Sequence, residues 1–449
     1  MGTFQAGFDR TVITPPHGTP LRGYFFPREA EGVLDDLELN TLAVGDGERA
    51  FVIIVADLCQ IPQPRAGRYV RAVAEKTGLP EAAVYINCTH THTGPDVGRG
   101  APENPWEEAL EHYLVSSAQR ALADLSPATL AVGRGRVERV SFIRRYRMKD
   151  GYVRTNPGVN NPDILHPIGE PDETEQVLRL VRPGKKEIVL VHFQVHPDGV
   201  GGSKVSADYP RFVRETVEQA LGGQTLCVYL NGTMGDLNHV NNFPRPGEQN
   251  GLEAESFDDC LRGYEYVKNM GRAIAGEALK VYGKTAPVNP LPLRFAEKII
   301  RVPSNRPTPE ELGKAQHIAE LHNAGRDAEL PYKAMELTTA VAEALRMVRL
   351  KDGPDEFALN LTALAMGEVA FLGIPGEPFS AIGRAVRERS PFPMTLPSGL
   401  TNGDEYYFPM AEAYDEGGYE ARSSAYKKGV AEALIEAAIE LLNMIHSPI

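Results

Sequence analysis

Four apolar, β-branched runs within the first 230 residues stop abruptly in polar or glycine-rich residues. That pattern limits the fold more than any other feature. Phe51-Val52-Ile53-Ile54-Val55-Ala56 ends in Asp57, and the run over 83–88 ends in Thr89-His90-Thr91-His92-Thr93-Gly94-Pro95. The run over 188–195 ends in His196-Pro197, and that over 226–230 in Asn231-Gly232-Thr233-Met234-Gly235-Asp236. A strand apolar at nearly every position needs cover on both faces. Between these runs, over 65–76, 105–122 and 210–221, apolar residues recur at helical spacing. The alternation predicts a layered α/β fold of mixed sheets flanked by helices. Sites in such folds gather at strand ends.

Residues 307–350 read differently. Thr308-Pro309-Glu310-Glu311 has the N-cap and first-turn residues of a helix, and Leu330-Pro331 divides the stretch into two helices. It is a helical insertion. Strand patterns return over 357–365 and 369–374, and 422–446 reads as a long C-terminal helix. No internal repeat or linker is visible, so 1–449 reads as a single domain.

Composition removes several function classes. Lys+Arg 47 against Asp+Glu 60 gives a net charge of −13, which disfavours nucleic acid and anionic membranes as partners. No apolar run is long enough to span a bilayer, and the start Met1-Gly2-Thr3-Phe4-Gln5 has neither part of a secretory signal. The cysteines at 59, 88, 227 and 260 are scattered and form no C-x-x-C pair, so neither a disulfide framework nor a cysteine zinc site is expected. The expectation is a cytoplasmic protein with no stable membrane anchor. Its partner would be a small molecule.

Histidines carry the chemistry. His90, His92 and His196 stand at the polar ends of predicted strands, and His90 and His92 at i, i+2 address one side of a strand. Neutral imidazole is the commonest metal ligand, and zinc hydrolases combine two or three with a carboxylate. His192 alternates with the core face of its strand and reads as structural.

The segment Cys88-Thr89-His90-Thr91-His92-Thr93-Gly94-Pro95 resembles the T-H-T-H-S-G-P signature of the neutral/alkaline non-lysosomal ceramidase family. Further segments resemble that family's motifs in its own order. They are the opening Ala6-Gly7 through Ile13-Thr14-Pro15-Pro16, Phe193-Gln194-Val195-His196-Pro197, Ser206-Ala207-Asp208-Tyr209, the 231–238 loop, Ile374-Pro375-Gly376-Glu377-Pro378-Phe379, and the tyrosine-bearing stretch around Tyr406-Tyr407.

The resemblance implies one zinc ion (Zn2+) held by His90, His196, Glu377 and Tyr407, with Tyr406 the competing tyrosine. His92 would contact the substrate carbonyl, and Arg144 would be the substrate-side arginine, with Arg145 its competitor. Zinc lowers the pKa of bound water towards about 7, which supports hydrolysis of an N-acyl (amide) bond. Asp57, Asp208 and Asp236 are candidates to orient the ligand histidines from behind. Asn238 stands where the family has a serine, and it joins Arg145 as a substrate-binding candidate. If Arg144, Arg145 and Arg147 line the pocket, they favour an acidic head group.

Unlike secreted ceramidases, the chain is expected to have neither a signal sequence nor a C-terminal β-sandwich domain. A soluble N-acyl substrate is therefore expected rather than ceramide. An ester hydrolase on the same metal, or a metal-stabilised binding protein without catalysis, are the alternatives.

Overall fold

The computed structural model describes residues 2–98, 105–404 and 406–446. Three successive stretches of chain share one topology: strand, strand, strand, helix, strand, helix. The first has strands Gln5–Val12, Glu38–Gly45, Ala50–Ala56 and Val84–Cys88, with α1 (Gln63–Thr77) in the crossover and α2 (Pro105–Ala123) after the last strand. The second has Thr129–Arg136, Thr174–Val181, Glu187–Phe193 and Thr225–Asn231, with α3 (Tyr209–Ala220) and α4 (Tyr264–Tyr282). The third has Leu293–Pro303, Glu356–Met366, Val369–Gly373 and Met394–Ser398, with a crossover helix Ser380–Arg389 and the closing helix Val430–His446.

In each sheet the four strands lie side by side in chain order. The first three are antiparallel to their neighbours and the last pair is parallel. The geometry has a direct consequence. Strands one, three and four of a sheet run the same way, so the segments leaving all three emerge at one end. Every residue implicated in chemistry by the sequence lies on such a segment or just beyond it.

One face of each sheet feeds a shared core. Phe51, Ile53 and Tyr85 of the first sheet meet Leu178, Leu190 and Val228 of the second and Leu364, Phe371 and Leu396 of the third. The opposite face lies under that sheet's own two helices. Ile54 and Ile86 pack with Val73 and Leu114, Val189 and Tyr229 with Val213 and Ile274, and Leu361 and Leu372 with Ile382 and Leu442. Burial on both sides explains why these strands are apolar at successive positions. Each such side chain contributes about 1.5–3 kcal/mol of transfer free energy.

The insertion forms the α5 (Pro309–Asn323) and α6 (Ala334–Leu350) pair. Thr308 caps α5 through a reciprocal box in which Glu311 N donates to Thr308 Oγ1 at 3.3 Å and Thr308 N donates to Glu311 Oε2 at 2.8 Å. Topologically it is the connection between strands one and two of the third sheet, equivalent to 13–37 and 137–173 in the other two. The expected helix over 422–446 is interrupted. A short helix Tyr419–Ser423 ends before Gly429, whose φ of 103° breaks the run, and the long helix starts at Val430. No helix among the described residues is long and apolar enough to cross a membrane. All four cysteines are buried and unpaired.

Candidate metal centre

The exits of the three parallel strand pairs converge on one cluster. His90 follows Val84–Cys88, His196 follows Glu187–Phe193, and Glu377 follows Val369–Gly373. Glu377–Pro378 forms a short parallel ladder with Tyr407–Phe408, which places Glu377 directly beside Tyr407. His90 takes a φ of 78°, a conformation a β-carbon disfavours, to turn its ring inward from the strand end. Gly235 makes room beneath the ladder: a Cβ there would lie 2.5 Å from the Glu377 carbonyl oxygen.

Glu377 Oε2 lies 3.0 Å from His196 Nε2 and 3.4 Å from His90 Nε2. Tyr407 Oη is 3.4 Å from His196 Nε2. Each ring is fixed from behind by backbone. His90 Nδ1 donates to the Cys59 carbonyl at 2.7 Å, and His196 Nδ1 donates to the Met234 carbonyl at 2.9 Å. A proton held on Nδ1 leaves the Nε2 lone pair for the space beside Glu377. Glu377 Oε2 is buried there and makes no aligned hydrogen bond.

Burial, with the Arg144 guanidinium nearby, pushes His196 down to about 3, so it is neutral. Burial would lower His90 too, but the Glu377 carboxylate outweighs it and raises His90 well above the usual imidazole range. The His196 Nε2 lone pair, the His90 Nε2 once its proton is displaced, and the unsatisfied Glu377 oxygen together make a donor set for a cation. One carboxylate with two imidazoles and a phenol suits zinc.

The donor atoms of Cys59, His90 and His92 also lie within reach of one ion. Cys59 Sγ lies 3.7 Å from His90 Nδ1, the nitrogen engaged with the Cys59 carbonyl. The His90–His196–Glu377 grouping uses the nitrogens left free.

His92 stands at the rim, its Nε2 3.3 Å from His90 Nε2. Behind it, Asp198 Oδ1 approaches Nδ1 at 3.2 Å. Asp198 is itself gripped by Arg262 at 2.8 and 3.0 Å and accepts from the Tyr24 hydroxyl at 2.9 Å. Sequence reading missed Asp198, although it lies two residues beyond His196 in His196-Pro197-Asp198, a spacing that marks a shared loop.

The two tyrosines separate cleanly. Tyr407 faces His196, whereas Tyr406 turns away at a φ of 69° and lies under Arg349. Arg144 lines the site, but its charge is engaged by Glu420 at 2.6 Å and it donates to the Gly235 carbonyl at 2.8 Å. Its guanidinium sits 5.3 Å from the Tyr407 ring centre.

Other expected roles need correcting. Arg145 is tied to Glu416 and the Gly417 carbonyl, with the Glu420 that holds Arg144 also 3.7 Å away, and Arg147 pairs with Glu416. Neither lines the cavities at the cluster. Asn238 donates to Asn156 Oδ1 at 2.8 Å, so it positions a lining residue rather than lining the site itself.

The three aspartates do not touch His90 or His196. Asp57 is bound bidentately by Arg214 at 2.6 and 3.0 Å and accepts from Glu38 N. Asp208 caps α3 and accepts from Val200 N, and burial raises it to about 7. Asp236 accepts from the backbone and hydroxyl of Ser380 at the start of the third crossover helix. Backbone carbonyls, which carry no residue signature, do the orienting instead.

Two cavities flank the cluster. The first, of about 150 Å³, is lined by Arg22, His90, Glu377, Asp404, Tyr406 and residues of α6. The second, of about 100 Å³, runs from His92 and Arg144 past Phe26, Phe257, Met335, Leu337 and Val341. The insertion therefore roofs both.

The chain is similar in structure to a neutral ceramidase from Pseudomonas aeruginosa, with a TM-score of 0.72 and 18% sequence identity over 99% of this chain and 75% of that one. It is also similar to a ceramidase complexed with C2, at 0.71 and 16% over 99% and 76% respectively. It has the neutral ceramidase fold. No family model and no curated protein matches the sequence. On the ceramidase fold, the cluster occupies the end where all three sheets deliver their strand exits, the carboxyl ends of parallel strands at which ligands bind in open α/β sheets.

Proposed function

We propose that the chain is a zinc-dependent amidohydrolase that cleaves a linear N-acyl bond in a small soluble substrate. One observation carries this reading: the buried, unsatisfied Glu377 Oε2 within 3.4 Å of two imidazole nitrogens whose other nitrogens are pinned by carbonyls. His90, His196, Glu377 and Tyr407 would hold the ion. Zinc in such a set supplies Lewis acidity and hydroxide at neutral pH.

The chain's own groups do the rest. His92, backed by Asp198, presents Nε2 at the rim, where it can donate to a carbonyl oxygen as negative charge develops. Arg144 stays charged beside Tyr407, since Tyr407 and Glu420 outweigh the cost of its burial, and it only partly offsets the burial that raises the Tyr407 phenol well above its usual range. Phe26, Phe257, Met335, Leu337 and Val341 in the second cavity exclude water from the acyl part.

The ceramidases sharing this fold are named for an amide substrate, which supports the reaction class. Buried unpaired cysteines support a cytosolic location, and the net charge of −13 speaks against nucleic acid as partner.

The test is a panel of matched N-acyl amides and esters with zinc-loaded protein and with the His92→Ala variant. Amide cleavage that falls about 10²–10³-fold in the variant, with zinc content unchanged, is the expected result. Ester cleavage alone would reassign the reaction. No cleavage of either class would leave a binding role.

A further inference from the structure

The arginines near the cluster differ in how their charge is met, and Arg28 is held by the carbonyls of Gly202, Arg22 and His92. Arg144, Arg145 and Arg262 are matched by Glu420, Glu416 and the pair Asp198 and Asp258. Those lining the first cavity are not. α6 turns Ala342, Leu345, Arg346 and Arg349 towards that cavity, positions three and four apart that form one helical face.

Arg346 is only 5% exposed and is held by backbone carbonyls, donating to Arg422 O at 2.9 Å and Asn305 O at 2.5 Å. Its helical neighbour Glu343 is taken by Arg422. Arg349 lies 4.0 Å over the Tyr406 ring and bonds its hydroxyl. Arg22 is the third guanidinium on the cavity wall. Among the described residues no carboxylate pairs with any of the three. The described acidic residues lining that cavity are Glu377, already assigned to the cation, and Asp404.

Glu343 and Glu311 act on Arg346 from nearby, but burial outweighs them and pulls its guanidinium below the ordinary range, so the charge is incompletely compensated. Carbonyl partners fix its orientation but do not neutralise it. A ligand anion would.

The second cavity settles which part of the substrate carries that anion. Phe26, Phe257, Met335, Leu337 and Val341 in its lining suit the acyl chain, beside Asp198, Asp258 and Arg262 that neutralise one another, so the adjoining first cavity, which shares His92 and Tyr407 with it, receives the amine side. We propose that Arg346 and Arg349 of the insertion, with Arg22, form a carboxylate subsite that makes N-acyl amino acids the substrate class. This rests on the amidohydrolase reading above. Hydrolysis then breaks the C–N bond, places the water oxygen on the acyl carbon and its proton on the departing amino acid nitrogen.

Two measurements with zinc-loaded protein test it. The first compares kcat/KM for N-hexanoylglycine and its neutral analogue N-hexanoylglycinamide in wild type, Arg346→Gln, Arg346→Lys and Arg349→Gln. Wild type is expected to prefer the carboxylate at least tenfold. The preference falls roughly ten- to hundredfold in Arg346→Gln and less in Arg349→Gln, with partial recovery in Arg346→Lys. Because the readout is a ratio between substrates, a general loss of fold does not imitate it.

The second measurement is calorimetric binding of 4-oxononanoate and 4-oxononanamide, in which a CH2 replaces the amide nitrogen and no hydrolysis can occur. Tighter binding of the anion, lost in Arg346→Gln, supports the subsite even if no amide is cleaved. In that case the amidohydrolase reading fails alone. Equal binding of the two ketones by wild type, or a preference unmoved by both Arg346→Gln and Arg349→Gln, overturns the subsite.

Discussion

Asp57→Asn separates the structural account of the strand end from a metal-linked one. Asp57 is fully buried, and its two oxygens meet Arg214 Nη1 and Nη2 at 3.0 and 2.6 Å. Burial pushes the Asp57 carboxyl upward even against Arg214, the mark of a pair that is expensive to bury and more expensive to break. Removing one charge from such a pair costs about 3–5 kcal/mol. Glu38 remains 3.4 Å from Arg214, which puts the expected loss near the lower end, about 3 kcal/mol.

An unfolding entropy of about 2.1 cal/mol/K per residue over 449 residues amounts to about 0.9 kcal/mol/K, so the midpoint of a cooperative transition falls by about 3 °C. The assay is thermal unfolding with zinc content measured on the same samples. The double variant Asp57→Asn/Arg214→Met, which no longer buries a lone charge, is expected to lose less than the single one. Zinc content should be the same in all three proteins. Loss of zinc at unchanged stability would refute the reasoning and return Asp57 to the metal site.

Glu175 gives a pH test far from the cluster. It is fully buried, neither carboxyl oxygen has a hydrogen-bond partner among the described residues, and burial followed by Glu277 raises it to about 9. The folded chain therefore keeps a proton that the unfolded chain has released, and stability falls as pH rises from about 4.5 to about 9, by up to about 1.4 kcal/mol per unit. Glu175→Gln should be more stable than wild type at pH 8 by a wider margin than at pH 5 in urea unfolding; equal margins would count against it. Gly235→Ala should displace the Glu377–Pro378 strand, because the new Cβ meets the Glu377 and Pro378 carbonyls at 2.5 and 2.9 Å. A cost of about 1–3 kcal/mol and weaker zinc binding are expected, and zinc titration of an unaffected protein would show that the backbone can yield.

The strands were legible because burial on both faces leaves an unbroken apolar run, as in Phe51 to Ala56. Thr308 and Pro309 likewise announced α5. The threefold recurrence of topology was not legible. It rests on strand order and direction, which different side chains satisfy equally well, as Phe51, Leu190 and Phe371 do in the shared core.

Within the site, residues whose side chains converge on the cluster could be nominated from the sequence. The carbonyls of Cys59 and Met234 could not, because any residue offers one. Arg144 and Arg145 both reach Glu420 but only Arg144 borders the cavity, and a sequence does not say which of two adjacent arginines does so. What the insertion covers depended on a contact between residues far apart in the chain, such as Arg349 with Tyr406.

The most direct measurement is metal content per chain in wild type, Glu377→Ala and Cys59→Ala, with the cobalt-substituted proteins inspected for a thiolate charge-transfer band. About one zinc per wild-type chain is expected, lost in Glu377→Ala, retained in Cys59→Ala, and without a thiolate band. Zinc retained in Glu377→Ala but lost in Cys59→Ala, or no metal taken up by wild type, would contradict the centre built on His90, His196 and Glu377.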